Sequence, residues 1–182
     1  MKTLEAIQTL SKLGRIFSKI ICICSIVGAI GCAVGIVSLP FADKGLFKLG
    51  GVSIYGLISS RADIALNNLY PLFGGAAILC IGQAVTARVA ESYFKNELTA
   101  GTPFTLSGAK ELLRLGIVTI CVPLGSIILS RIVSSIIAEL LACGELFDPS
   151  GFDSVALGVM FIVMSLLCSY GAEEAEKHKN AK

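Results

Sequence analysis

The chain has 182 residues, of which 54% are hydrophobic and only 15% are charged, and its mean hydropathy is +0.81. Soluble domains average about 45–50% apolar and about 25% charged residues, so the composition argues against an ordinary soluble domain. The formal net charge of +2 is too small to indicate direct binding of nucleic acid. Long uncharged blocks instead predict an all-α membrane protein with four transmembrane helices, because crossing a bilayer takes about 20 apolar residues.

Residues 1–19 predict an amphipathic helix at the membrane interface. Its apolar side includes Leu13 and Phe17. Its basic, polar side carries Lys12, Arg15, Ser18 and Lys19. Two interpretations stay open: the helix lies along the anionic cytoplasmic leaflet as an anchor, or its basic side docks a cytoplasmic protein partner.

The first transmembrane helix is predicted over 20–39, an uncharged block closed by Pro40. Small residues in such a span allow close backbone approach, which is how membrane helices gain packing contacts. The residues predicted to pack in this way are Gly28, Gly31 and Gly35. They indicate either packing against another span of the same chain or a seam between copies in a homo-oligomer.

An extracytoplasmic loop is predicted over 40–71, followed by the second transmembrane helix with a cytoplasmic extension over 72–98. Apolar and small residues alternate over 51–59, which indicates a small β-hairpin within the loop. Gln83 lies inside the apolar block and is interpreted as a hydrogen-bonding group between helices rather than a substrate ligand. Arg88 begins a helical surface of alternating charges.

A polar elbow over 99–111 connects the second and third spans. Glycine is typical just past a helix end, proline prevents the helix from continuing, and threonine caps the next helix. The hinge residues in these roles are Gly101, Pro103, Phe104 and Thr105. Lys110 and Arg114 follow in the first turns of the third helix and extend the basic surface.

The third transmembrane helix and an outer extension are predicted over 112–142. Within it, Arg131 is either an interfacial anchor or a functional charge inside the membrane. An acidic outer loop over 143–153, interpreted as solvated, leads to the fourth transmembrane helix over 154–171. The chain closes with a tail over 172–182.

The distribution of Lys and Arg predicts the orientation in the membrane. Basic residues concentrate in the N-terminal segment, the elbow region and the tail, whereas the acidic outer loop has none. Positive-inside reasoning therefore places both termini and the elbow in the cytoplasm of a multi-pass protein of the cell membrane.

The segment Ala-Gly-Thr-Pro-Phe-Thr, followed by a helix rich in Lys, Arg and Leu, resembles an uncharacterised bacterial membrane-protein family, domain of unknown function 2975. In residues, the resemblance rests mainly on Gly101, Pro103, Phe104, Thr105 and Leu113. It implies a small bacterial inner-membrane protein with four spans. It implies no catalytic residues.

The predicted spans contain no Asp, Glu, Lys or His at depth, which makes catalysis or ion transport through them difficult. Cys22 and Cys24 cannot share a metal ion, because alternate residues point about 200° apart on a helix. His178 lies in the charged tail. The sequence therefore predicts no catalytic residue, no cofactor, no metal site and no enzymatic activity.

The favoured function is interaction: a sensor or an accessory subunit of a membrane complex that uses the basic cytoplasmic surface. The first alternative is a small transporter or oligomeric channel in which Gln83 and Thr119 face an aqueous path. The second is an intramembrane enzyme acting on lipid, which the absence of an acid, base or metal ligand disfavours.

Overall fold

The computed structural model describes residues 2–40, 48–49, 52–53, 68–100, 105–142 and 153–180. Nearly all of them belong to four long helices: α1 (Lys2–Ser38), α2 (Leu69–Ala100), α3 (Leu106–Leu140) and α4 (Asp153–Asn180). The segments long and apolar enough to cross a membrane are Gln8–Ser38, Leu69–Thr99, Leu106–Leu140 and Val155–Glu173. The prediction of four such helices is confirmed in length and composition.

Two short strands lie in the predicted outer loop. Strand β1 (Lys48–Leu49) pairs antiparallel with β2 (Val52–Ser53), with Lys48 opposite Ser53 and Leu49 opposite Val52. The pairing is two residues long, and most of the segment 51–59 lies outside the described residues. The hairpin predicted over that segment therefore stays a prediction.

Helix α1 runs through the predicted boundary between the interfacial helix and the first span. It contains 37 residues without a break, from Lys2 to Ser38. At a rise of 1.5 Å per residue it is about 55 Å long, well beyond the roughly 30 Å of a hydrocarbon core. The structure thus has one helix where the sequence predicted two segments, 1–19 and 20–39.

The contacts divide the chain into two compact units. Unit 1 comprises Met1–Cys24, Gly82–Leu124 and Gly151–Lys182, and unit 2 comprises Ser25–Ile81 and Gly125–Ser150. In unit 2, Leu39 and Leu69 form a small buried cluster to which Phe73 adds its ring. There the hydroxyl of Ser134 in α3 donates a hydrogen bond of 3.1 Å to the carbonyl oxygen of Pro71 in α2.

The buried side of α1 consists of small residues, whereas its large apolar side chains are exposed. Ser11, Ser18 and Ser25 are at most 6% exposed, while Phe17 is 60% and Val37 is 69% exposed. A helix in a water-soluble core shows the opposite arrangement. Small residues inside and branched apolar residues outside are typical of helices that pack within lipid.

In unit 1, the backbones of α3 and α4 lie close together at two glycines, Gly116 and Gly158. A Cβ atom on Gly116 would lie 3.0 Å from the carbonyl oxygen of Gly158 and 3.1 Å from the backbone nitrogen of Ile162. A Cβ atom on Gly158 would lie 3.0 Å from the carbonyl oxygen of Gly116. Because helix backbone cannot rotate aside as a side chain can, both positions require glycine.

We expect Gly116→Ala to lower the free energy of unfolding by about 1–3 kcal/mol, because the added methyl forces α3 and α4 apart. Thermal unfolding of the purified protein in mild detergent measures this loss. Gly125→Ala in the same helix is the matched control, since no atom lies within 4 Å of the added Cβ. Equal stability of the two variants would contradict the close approach.

Candidate functional site

The candidate site lies in unit 1 and involves the charged part of α2, the first turns of α3 and the amino-terminal part of α1. Helix α2 is uncharged over 69–87 and then carries Arg88, Glu91, Lys95 and Glu97. Helix α3 carries Lys110, Glu111 and Arg114 in its first turns, is uncharged over 115–130, and has further charges only at Arg131 and Glu139. The amino-terminal part of α1 belongs to the same unit.

Thr105 fixes the beginning of α3. Its Oγ1 accepts a hydrogen bond of 3.0 Å from the backbone N–H of Gly108, and its carbonyl oxygen accepts one of 2.9 Å from the N–H of Ala109. This is the geometry of an N-cap, the role expected for Thr105. The other predicted hinge residues, Gly101, Pro103 and Phe104, lie outside the described residues.

Glu97 connects α1 with α2 through its carboxylate, which accepts hydrogen bonds from the hydroxyls of Ser11 and Tyr93. Ser11 is only 4% exposed. The ring of Phe94 lies close to Gly14, where a Cβ atom would be 2.7 Å from the ring. A small residue at position 14 thus lets α1 approach α2 near the carboxylate.

The environment of Glu97 favours its protonated form. We place Glu97 outside the membrane-spanning stretch of α2, because Arg88 already ends the uncharged stretch. Burial raises the pKa of Glu97 above its usual range, and the hydrogen bonds from Ser11 and Tyr93 only partly oppose that rise. Burial, and then the nearby charge of Glu97, also raise the pKa of Tyr93, so its hydroxyl stays a donor.

An open cleft of about 290 Å³ lies between the charged part of α2 and the first turns of α3. We call it the α2–α3 cleft. Its lining includes Arg88, Ser92, Tyr93, Asn96, Glu111 and Arg114. The side-chain Nδ2 of Asn96 donates a hydrogen bond of 2.9 Å to Oε1 of Glu111, which ties the two helices together.

The six basic residues predicted to form an interaction surface all belong to unit 1. Arg88 and Arg114 both line the α2–α3 cleft. Arg88 forms an ion pair of 3.0 Å with Glu91 in its own helix. The other four are exposed on α1 or α3: Lys12, Arg15, Lys19 and Lys110. Among the described residues, no ion pair is found for these four or for Arg114.

The three glycines predicted for helix packing differ in how closely other side chains approach them in unit 2. A Cβ atom on Gly28 would lie 3.1 Å from the sulfur of Cys80, and one on Gly35 would lie 3.1 Å from the ring of Phe73. A Cβ atom on Gly31 would have no atom within 4 Å. Gly28 and Gly35 therefore contact α2 of the same chain, while Gly31 is open.

The polar residues inside the predicted spans differ in exposure. Gln83 is exposed on α2. Thr119 is buried, and its hydroxyl donates a hydrogen bond of 2.8 Å to the carbonyl oxygen of Leu115 in its own helix. Arg131 is exposed on α3. The hydroxyl of Thr119 is thus hydrogen-bonded within its own helix.

Sequence reasoning missed the polar groups that the site actually uses. It did not single out Glu97, Tyr93 or Asn96, and it placed Ser18 on the polar side of the N-terminal amphipathic helix although the structure buries it. One signal was present: Tyr93 and Glu97 are four residues apart, which places them on one side of a helix.

Comparisons with known proteins add no further assignment. No family model, no curated protein and no solved structure matches the chain. The resemblance to domain of unknown function 2975 therefore stays a prediction. Within the described residues, no group of three or more His, Cys, Asp or Glu side chains is placed to hold a metal ion.

The raised pKa of Glu97 predicts a pH-dependent gain in stability for Glu97→Gln. Folding favours the protonated acid, so this contribution is complete below the unfolded pKa of about 4.3 and is lost as the pH rises through the folded pKa. Glutamine carries no buried charge at any pH. The midpoint of thermal unfolding of the variant, relative to the parent, should therefore be higher at about pH 7.5 than at about pH 4.

Glu139→Gln, at an exposed position of α3, controls for the loss of one negative charge. A relative midpoint for Glu97→Gln that stays constant with pH would show that the Glu97 carboxylate is not disfavoured by folding.

Proposed function

We propose that this chain is a non-enzymatic, multi-pass protein of the cell membrane that acts by interaction, as a sensor or accessory subunit. Its interaction surface is basic and its partner is an acidic surface of a cytoplasmic protein. We define the basic surface by Lys12, Arg15, Lys19, Lys110 and Arg114.

The observation that carries this proposal is that several carboxylates in unit 1 have partners within the chain, whereas the residues of the basic surface have no ion pair among the described residues. The carboxylates of α2 and of the first turns of α3 have partners within the chain: Glu91 pairs with Arg88, Glu97 accepts from Ser11, and Glu111 accepts from Asn96. The residues of the basic surface are exposed, and no ion pair engages them within the described parts of the chain. The surface therefore presents positive charge that an acidic partner can neutralise.

The distribution of charge along the sequence supports a cytoplasmic position for this surface. Lys and Arg are frequent near the N-terminus, around the elbow and in the tail, which by the positive-inside rule are the cytoplasmic segments. Both termini are accordingly assigned to the cytoplasm.

A role in interaction rather than catalysis is supported by the hydrogen bonds of half-buried and buried hydroxyl groups in the helices. Thr86 donates to the carbonyl oxygen of Gly82 at 3.1 Å, and Ser130 donates to that of Ile127 at 3.1 Å. Such bonds stabilise the helix that contains them and leave the hydroxyl without a base to activate it. These groups are structural.

Substituting Lys12, Arg15 and Lys19 together with glutamine should weaken binding of the acidic partner about tenfold, since three exposed ion pairs at about 0.5 kcal/mol each sum to about 1.5 kcal/mol. Co-purification in mild detergent, with quantitative mass spectrometry of the bound proteins, measures the loss. The variant should still reside in the membrane fraction.

Two controls test the charge mechanism. Arg131→Gln removes a basic residue from unit 2 and should leave the co-purified protein in place. Soluble polyglutamate and raised salt should both release the partner, because exposed charges are screened. An unchanged set of bound proteins in the triple variant would refute the proposal and favour a role of these residues in anchoring to lipid.

A further inference from the structure

Arg88 and Arg114 lie on two neighbouring helices, each at the boundary between a charged and an uncharged stretch. Arg88 directly follows the uncharged stretch 69–87 of α2, and Arg114 directly precedes the uncharged stretch 115–130 of α3. Both line the α2–α3 cleft. With the uncharged stretches in a bilayer, the cleft lies at the level of the lipid headgroups.

The cleft contains charges of both signs. Arg88 and Arg114 contribute two positive charges, and Glu111 contributes a negative charge to the lining. Glu91, which pairs with Arg88, supplies a second negative charge beside it. Since the four charges cancel, the cleft suits a ligand with a negative and a positive group better than it suits a simple anion.

We propose that the α2–α3 cleft binds the headgroup of a zwitterionic phospholipid with a primary amine, that is, a phosphoethanolamine headgroup. The phosphate lies on the guanidinium groups of Arg88 and Arg114. The ammonium lies on the carboxylate of Glu111.

The hydrogen-bonding capacity of the lining matches this headgroup. A guanidinium has five N–H donors in a planar fork that fits phosphate oxygens, and Arg114 has no ion pair with any residue the structure describes. Glu111 uses Oε1 to accept from Asn96, which holds the carboxylate in the cleft and leaves Oε2 as an acceptor. A primary ammonium can donate to it, whereas the quaternary ammonium of a choline headgroup has no N–H.

Apolar surface for the acyl chains is present beside both arginines. Val85 lies three residues before Arg88 and is 45% exposed, and Ile117 lies three residues after Arg114 and is 47% exposed. Residues three apart share a helix side. Each arginine is therefore followed, toward the uncharged stretch, by an exposed aliphatic side chain against which a lipid tail can pack.

The occupant proposed for the cleft differs from the protein partner proposed above, and it does not depend on Lys12, Arg15 or Lys19. Substitution of those three residues should leave lipid binding unchanged. Loss of the acidic partner without loss of the lipid, or the reverse, separates the two proposals.

Native mass spectrometry of the purified protein with added phosphatidylethanolamine, phosphatidylcholine or phosphatidylglycerol tests the site. The parent protein should bind phosphatidylethanolamine about tenfold more tightly than phosphatidylcholine, the difference expected for one charge-assisted hydrogen bond. Equal affinity for these two lipids, or equal or tighter binding of phosphatidylglycerol, would overturn the proposal. Displacement of the lipid by millimolar inorganic phosphate would overturn it too, since the site would then bind a free anion.

Three variants assign the contacts. Arg114→Gln should weaken phosphatidylethanolamine binding about tenfold, while Lys110→Gln, on the same helix and outside the cleft lining, should not change it. Glu111→Gln should abolish the preference for phosphatidylethanolamine over phosphatidylcholine. A preserved preference in Glu111→Gln, or an equal loss in Lys110→Gln, would refute the site. Thermal unfolding in lipid-free detergent verifies that each variant is folded, and the lipid comparison on the parent protein stands without them.

Discussion

Helix packing without a hydrophobic driving force is the constraint on which this structure depends. In lipid, burying an isoleucine gains little, because the acyl chains it leaves are as apolar as the protein. The helices therefore meet through small residues that allow close approach, as Gly116 and Gly158 do, and through hydroxyls bonded to backbone. The hydroxyl of Ser165 in α4, for example, donates a hydrogen bond of 2.6 Å to the carbonyl oxygen of Ala109 in α3.

The same constraint determines where the charged residues are placed. A charge inside hydrocarbon costs several kcal/mol, so the charges of α2 and α3 begin only where their uncharged stretches end. Within unit 1, the carboxylates of these helices have hydrogen-bonding or ionic partners in the chain, whereas most of the basic groups have no ion pair with a described residue. Carboxylates can accept from hydroxyl and amide groups of the protein, as Glu97 and Glu111 do, whereas the exposed Lys12, Arg15 and Lys19 have no ion pair with any described residue. A basic surface with internally bonded carboxylates is the result.

The sequence was sufficient for features that depend on local composition, and insufficient for those that depend on helix register. Uncharged blocks predicted four helices able to span a membrane, and the polar elbow predicted a cap at Thr105. The contact of Gly116 with Gly158 joins positions far apart in the chain, and no periodicity within one helix reveals it. Ser18 was misassigned because a helical wheel treats polar residues as facing water, whereas in a lipid-solvated helix a small polar residue is suited to the protein interior.

Specificity at a basic membrane surface requires more than positive charge. Lysines and arginines near a bilayer attract every anionic lipid by about 1 kcal/mol each, without regard to the headgroup. Discrimination needs a group that penalises the wrong ligand. In the α2–α3 cleft Glu111 is such a group, because its carboxylate repels a purely anionic headgroup and can accept from an amine. Asn96 supports this discrimination by holding Glu111 in the cleft between α2 and α3. Its Nδ2 donates a hydrogen bond of 2.9 Å to Oε1 of Glu111.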